Sequence, residues 1–176
     1  MQTASTDTDL PEGPPTDPMR IGYRIGCGPW LLAVDAQWAT GILDNYVLQP
    51  IPRAPQWLIG CTNVEGLLLP VVDLFTLLNP NMVPGHGREH KARILLGTHT
   101  PASNDEAIGL LFTGLPERLS FTRADLPTML QLPPLLRRMA RGLAHMPDGR
   151  TTIELDTHQL IDHCISQFDT ADEAPA

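Results

Sequence analysis

From residue 19 onward, apolar and polar positions alternate with the period of a strand. Ile21, Tyr23 and Ile25 interleave with Arg20, Gly22 and Arg24, which predicts one buried and one solvent face. Gly26, Gly28 and Pro29 then separate this run from Trp30, Leu31, Leu32 and Val34, the punctuation of a hairpin. A short turn or helix is expected after Asp35, and a strand at 42–48. Pro52 and Pro55 forbid a regular helix and impose extended chain there. A tight turn is expected at Val64, Glu65 and Gly66, followed by a strand at 67–72. Pro70 cannot donate to a ladder, so that strand must lie at an edge or carry a bulge. Asp73 is placed to cap one short helical turn ending at Leu78.

Residues 79–91 read as a polar Pro/Gly loop. Strands are expected at 92–97, 107–113 and 118–121, then a Pro-punctuated, partly helical connection at 126–141. Pro147, Asp148 and Gly149 mark a turn before a strand at 151–155. Asp156 with Gln159 resembles a capping box, and Leu160, Ile161, Cys164, Ile165 and Phe168 form one stripe at helical spacing. Many short strands and one closing helix predict an all-β fold of small barrels with a C-terminal helix.

Charge changes the picture mainly at the ends. Of the net charge of −8, residues 1–18 carry −4 and residues 169–176 carry −3, which leaves the body close to neutral. The first segment is rich in Pro, Thr and Asp with few large apolar side chains, so both ends are expected to be disordered acidic tails around a domain at 19–168. A near-neutral body has no basic face for displacing counterions from nucleic acid. No apolar run approaches the ~20 residues of a membrane span, and the start has no signal-peptide pattern. Cys27, Cys61 and Cys164 are too few for a disulfide framework, which places the protein in a reducing cytoplasm.

Candidate chemistry is sparse. No G-x-S-x-G nucleophile elbow is present, and no carboxylate pair assembles into an acid/base constellation, so no catalytic residue is assigned. His86 with His90, and His158 with His163 and Cys164, have superficially metal-like spacings, but one pair lies in a loop and the other splits across helix faces. No metal or cofactor is assigned. Arg137, Arg138 and Arg141 read as a solvated face.

The central segment is more specific. Pro52-x-x-Pro55-x-Trp57-Leu58-x-Gly60-x-x-Asn63-Val64-x-Gly66-x-Leu68-x-Pro70-Val71-Val72-Asp73-Leu74 closely resembles the signature of the CheW-like chemotaxis adaptors. More narrowly, it resembles the adaptors of type IV pilus (twitching motility) chemosensory systems. The resemblance covers about residues 19–168, with Ile108 to Phe112 matching a further family strand. It implies two SH3-like β-barrel subdomains sharing a core, with no active site. It also implies two partners, the regulatory domain of a CheA-type histidine kinase and the cytoplasmic tip of a methyl-accepting chemoreceptor.

On this reading Ile42, Leu43, Asn45, Asn63, Glu65 and Leu67 form the partner-binding surface, and Trp57, Gly60, Gly66, Pro70 and Asp73 are structural. Trp57 is expected to wedge between the barrels. The sequence departs from the family pattern at three places. Glu65 stands where arginine is expected, Gly41 where an acidic residue is expected, and Thr113 where an aspartate is expected. Two alternatives follow: a divergent module of this type recruited to another regulator, or a ligand-binding SH3-like barrel.

Overall fold

A computed structural model describes residues 17–81, 91–98, 107–146 and 148–171. The tails expected at 1–18 and 169–176 fall mostly outside these residues, as do His86 and His90. Nine strands and three helices are present among the described residues. In chain order they are β1 (Arg20–Cys27), β2 (Trp30–Asp35), β3 (Ala39–Leu43), β4 (Leu58–Val64), β5 (Leu67–Asp73), α1 (Leu74–Leu78) and β6 (Ala92–Thr98). After them come β7 (Ala107–Ala124), α2 (Pro134–Met139), β8 (Ala140–His145), β9 (Thr152–Leu155) and α3 (Thr157–Ala171).

The two strands expected at 107–113 and 118–121 are a single strand of 18 residues, β7. Its first part pairs with β6 in antiparallel and β5 in parallel register. Its second part pairs with β1 and β8. At the changeover the register skips from Glu117↔Arg24 to Thr113↔Gly26, so Gly114, Leu115 and Pro116 bulge opposite Ile25.

Two rings of pairing result. β1, β2, β9, β8 and the end of β7 close one ring, the terminal barrel. The other, the central barrel, runs from β3 through β6, the start of β7 and β5 to β4. Among the described residues, backbone pairing shuts its seam at one point, where Gln49 and Cys61 exchange two hydrogen bonds of 2.8 Å. This is the two-barrel architecture expected.

Apolar side chains sort into three clusters, as strand alternation requires. Ala33, Leu119, Phe121, Ala144 and Met146 fill the terminal barrel. Leu69, Val71, Ile94, Leu96 and Leu111 fill the central one. The largest cluster lies between the barrels, where Leu32, Val34, Val72, Leu95, Leu110 and Ile153 meet Leu136 of α2 and Leu160 of α3. Adjacent residues of β7 serve different cores: Leu110 and Phe112 face the joint, and Leu111 faces the central lumen.

The alternation in β1 misleads at two positions, Arg24 and Ile21. Arg24 is 3% exposed although its position reads as solvent-facing. Its face lines the terminal barrel, which is closed by charge at both mouths. At one, the Arg24 guanidinium donates to Glu117 and Asp148. At the other, Glu154 accepts from Nε and Nη2 of Arg123, both at 2.6 Å, with Arg20 at 3.5 Å. Ile21, expected inside, is 45% exposed.

Local signals correct and confirm details. β3 stops at Leu43 instead of continuing to 48, because Asp44 and Asn45 bend the chain away. Pro70 lies before the β5–β7 pairing begins at Val71, so its missing N–H faces an unpaired side. The bulge in this hairpin is on β4, between Leu58 and Gly60. Asp73 caps α1, accepting from the Thr76 backbone N–H at 3.2 Å and its hydroxyl at 3.0 Å.

Asp156 caps α3 through the Gln159 N–H at 3.1 Å. The reciprocal half of a capping box does not form. The Gln159 amide donates to the same carboxylate, and the Asp156 N–H goes to the Met139 carbonyl. On α3, Leu160, Ile161 and Cys164 are buried, but Ile165 is 48% exposed and leaves the stripe.

Two outcomes follow. Glu154→Ala strands two guanidinium groups at a barrel mouth and should cost ~3 kcal/mol, measured by urea denaturation. Burial alone would raise the Asp156 carboxyl, but Arg141 at 2.8 Å, the Gln159 N–H and nearby His158 hold it below the usual carboxylate range. A carboxyl depressed by folding stabilises above that range and loses its contribution as pH falls through it. The stability gap between wild type and Asp156→Asn should therefore narrow as pH drops below ~4, as thermal melts would record.

Candidate partner-binding site

The residues assigned to the partner surface lie on the central barrel, around its seam. Asn45 and Asn63 come together across a shallow groove of mixed polarity, about 450 Å³, that Tyr46, Val47, Gln49 and Thr62 complete. On the other side of Tyr46 lies an apolar cleft of about 340 Å³, lined by Leu48, Ile59, Ala92 and Leu111. Ile42 and Leu67 are 38% and 47% exposed. Leu43, assigned to the same surface, is half-buried. It pairs with Ile94 across β3 and β6 and packs on the lumen cluster, because alternation sends it to the face opposite Ile42.

Gly60 explains how the seam closes at all. Its φ of +144° disfavours a side chain, and a Cβ there would lie 2.5 Å from the Gln49 carbonyl. Beyond this contact β4 runs into a two-residue turn at Glu65 and Gly66, with φ of +52° and +90°. Two positive φ values match the twist of a tight β-hairpin. Asn63 Oδ1 accepts the Gly66 N–H at 3.0 Å and fixes the turn.

The sequence reading missed two exposed neighbours, Val47 at 78% and Leu68 at 60%. Val47 lay inside a strand that does not form, and Leu68 lies on the outer face beyond the point where β7 covers β5. Trp57 is half-buried and packs against the joint core, with its carbonyl accepting the Asp73 N–H at 2.7 Å. A Cβ at Gly41 would meet only Leu96, at 3.6 Å, so the fold itself does not demand glycine there.

Other candidate groups are engaged by neighbouring side chains and carbonyls. Arg137 donates to the Thr128 and Leu130 carbonyls, Arg138 meets His163 Nδ1 at 3.0 Å, and Arg141 holds Asp156. Arg138 and Arg141 are exposed and Arg137 is half-buried, in keeping with the solvated face expected. Burial, and then the Arg138 charge, lower the His163 pKa. Cys164 sits in the joint core, its thiol pushed up to about 12 by burial; burial and then the Asp73 charge also raise Cys27. His158 is exposed, and no three potential metal ligands converge among the described residues. No helix among them is long and apolar enough to cross a membrane.

Two five-stranded barrels that share β7, one of them with an open seam, define the class of fold. The model of the CheW-like domain matches residues 25–164, and the chain belongs to the CheW-like domain family. The family is one of non-enzymatic scaffolds of chemosensory signalling. Among solved structures, the scaffolding protein TtCheW from Thermoanaerobacter tengcongensis is similar at 17% identity and a TM-score of 0.64. The match covers 80% of this chain and 91% of that one. No curated protein matches the chain.

Because Trp57 is only half-buried, Trp57→Ala should cost about 2 kcal/mol, below the roughly 3–5 of a fully buried tryptophan. Chemical denaturation checks the size of the loss.

Proposed function

We propose that this chain is an adaptor that couples the cytoplasmic tip of a methyl-accepting chemoreceptor to the regulatory domain of a CheA-type histidine kinase. The observation that carries the reading is the family match across residues 25–164, joined to an exposed seam that gathers Ile42, Asn45, Asn63, Glu65 and Leu67. A barrel with apolar residues on a polar rim suits a small exchangeable contact, near or below ~1,200 Å², of the kind transient signalling partners make. The adaptor acts in the cytoplasm at membrane-associated receptor arrays and needs no cofactor. Its domain is the segment 19–168, flanked by the acidic tails. The Pro52 to Leu74 motif favours a type IV pilus (twitching) pathway.

A second reading is favoured by Glu65 and Gly41, which depart from the family pattern on this same surface. It makes the chain a divergent member recruited to a different regulator. Affinity purification of the tagged chain from its own cells separates the two readings. The adaptor reading expects a chemoreceptor and a CheA-type kinase together. Recovery of another regulator with neither of them supports the divergent reading.

A further inference from the structure

A cavity of about 100 Å³, room for roughly three waters, lies where the two barrels meet at the start of α3. Trp38 lines it from the turn between β2 and β3, and Thr98 from the end of β6. Arg141, Glu154 and Thr157 line it from β8, β9 and α3. Trp38 is 4% exposed, and its indole N–H is buried with no acceptor. A donor shut away from water in this way bears its full desolvation cost, so native structures rarely leave one unanswered. The ring is held in place. It lies so close on Gly97 that a Cβ there would overlap three of its carbons. The Trp38 backbone is tied on both sides, donating to the Asp35 carbonyl at 3.2 Å and accepting from the Thr98 N–H at 3.4 Å.

The acidic groups of the cavity are already answered. Glu154 takes two bonds from Arg123, with Arg20 at 3.5 Å, and Asp35 accepts the Gln37 N–H at 2.7 Å. The donors are not. Arg141 spends Nε on Asp156, and its two Nη groups have no hydrogen-bond partner among the described residues. Thr98 and Thr157 are buried, and neither hydroxyl makes a hydrogen bond among those residues. The start of α3 adds the positive end of a helix dipole. A matching ligand must therefore bring oxygen acceptors. Its charge is bounded too, because Arg20, Arg123 and Arg141 only balance Asp35, Glu154 and Asp156. One negative charge suits such a site better than two.

We infer that this cavity binds a small monocarboxylate, whose oxygens accept from the Trp38 indole N–H and the Arg141 guanidinium, with the Thr98 and Thr157 hydroxyls beside them. Exposed Gln37 and His158 stand at the rim and leave a way in from solvent. None of these residues belongs to the surface around the seam, and the site does not depend on the adaptor reading.

The test uses the full chain with isotope-labelled tryptophan, titrated with sodium acetate against sodium chloride at equal ionic strength and followed by NMR. Trp38→Phe assigns the Trp38 indole signal apart from those of Trp30 and Trp57. The Trp38 indole proton should move and saturate, half-way at ~1–10 mM acetate, as befits so small a ligand. Arg141→Lys keeps the charge but loses the guanidinium, and should bind ~10-fold more weakly. Thr98→Val, which removes only a hydroxyl, should also weaken binding, and it decides the matter if Arg141→Lys melts lower than wild type. No saturable shift by ~100 mM acetate, the same shift with chloride, or unchanged affinity in both variants overturns the inference. Tighter binding of inorganic phosphate than of acetate overturns it as well, since the site would then prefer a dianion.

Discussion

β7 carries backbone hydrogen bonds for both barrels, to β5 and β6 over its first part and to β1 and β8 over its last. Successive side chains of a strand must point to opposite faces. A strand shared in this way therefore has one face in a lumen and the other in the joint between the barrels. Leu110, Leu111 and Phe112 show the consequence, since neighbouring positions belong to different cores. The barrels cannot slide apart without unzipping this strand, so the relative placement of their surfaces is built into one backbone.

The two barrels solve closure differently, and the difference bears on function. The terminal barrel is closed by strand pairing all round, and its mouths are filled by arginine–carboxylate groups at Arg24 and Glu154. Buried charges of this kind stabilise little over a well-packed apolar alternative, but losing one partner is costly, so they fix geometry. The central barrel is held at its seam by one pair of hydrogen bonds between Gln49 and Cys61. Its grooves, its exposed Leu67 and Leu68 and its Glu65 tip all lie around that weaker closure. One barrel is braced by charge at its mouths, and the other keeps exposed apolar residues around a lightly paired seam.

Much of this was legible in local chemistry. Asp73 and Asp156 cap helices where a carboxylate precedes an apolar stripe, and the glycine and proline clusters mark true turns. Gly60 and Gly66 belong to a spaced motif, and the structure supplies the reason for each: a carbonyl in the place of a Cβ at one, a left-handed turn at the other. Arg24 could not be read in this way. Its alternation matched a solvent face, and only ring closure makes that face an interior. Leu43 and Ile42 likewise look equivalent until the register against β6 assigns them to opposite sides.

The sequence by itself determined the class of fold, the turn positions, the helix caps and the family motif from Pro52 to Leu74. Each depends on residues near one another in the chain, where backbone preference and side-chain reach act directly. Only the tertiary structure decided that β7 is a single strand, which faces are lumen and which are joint, and which apolar residues remain on the surface. Those outcomes depend on strands that meet across long stretches of chain, and alternation marks two faces without saying what will cover either.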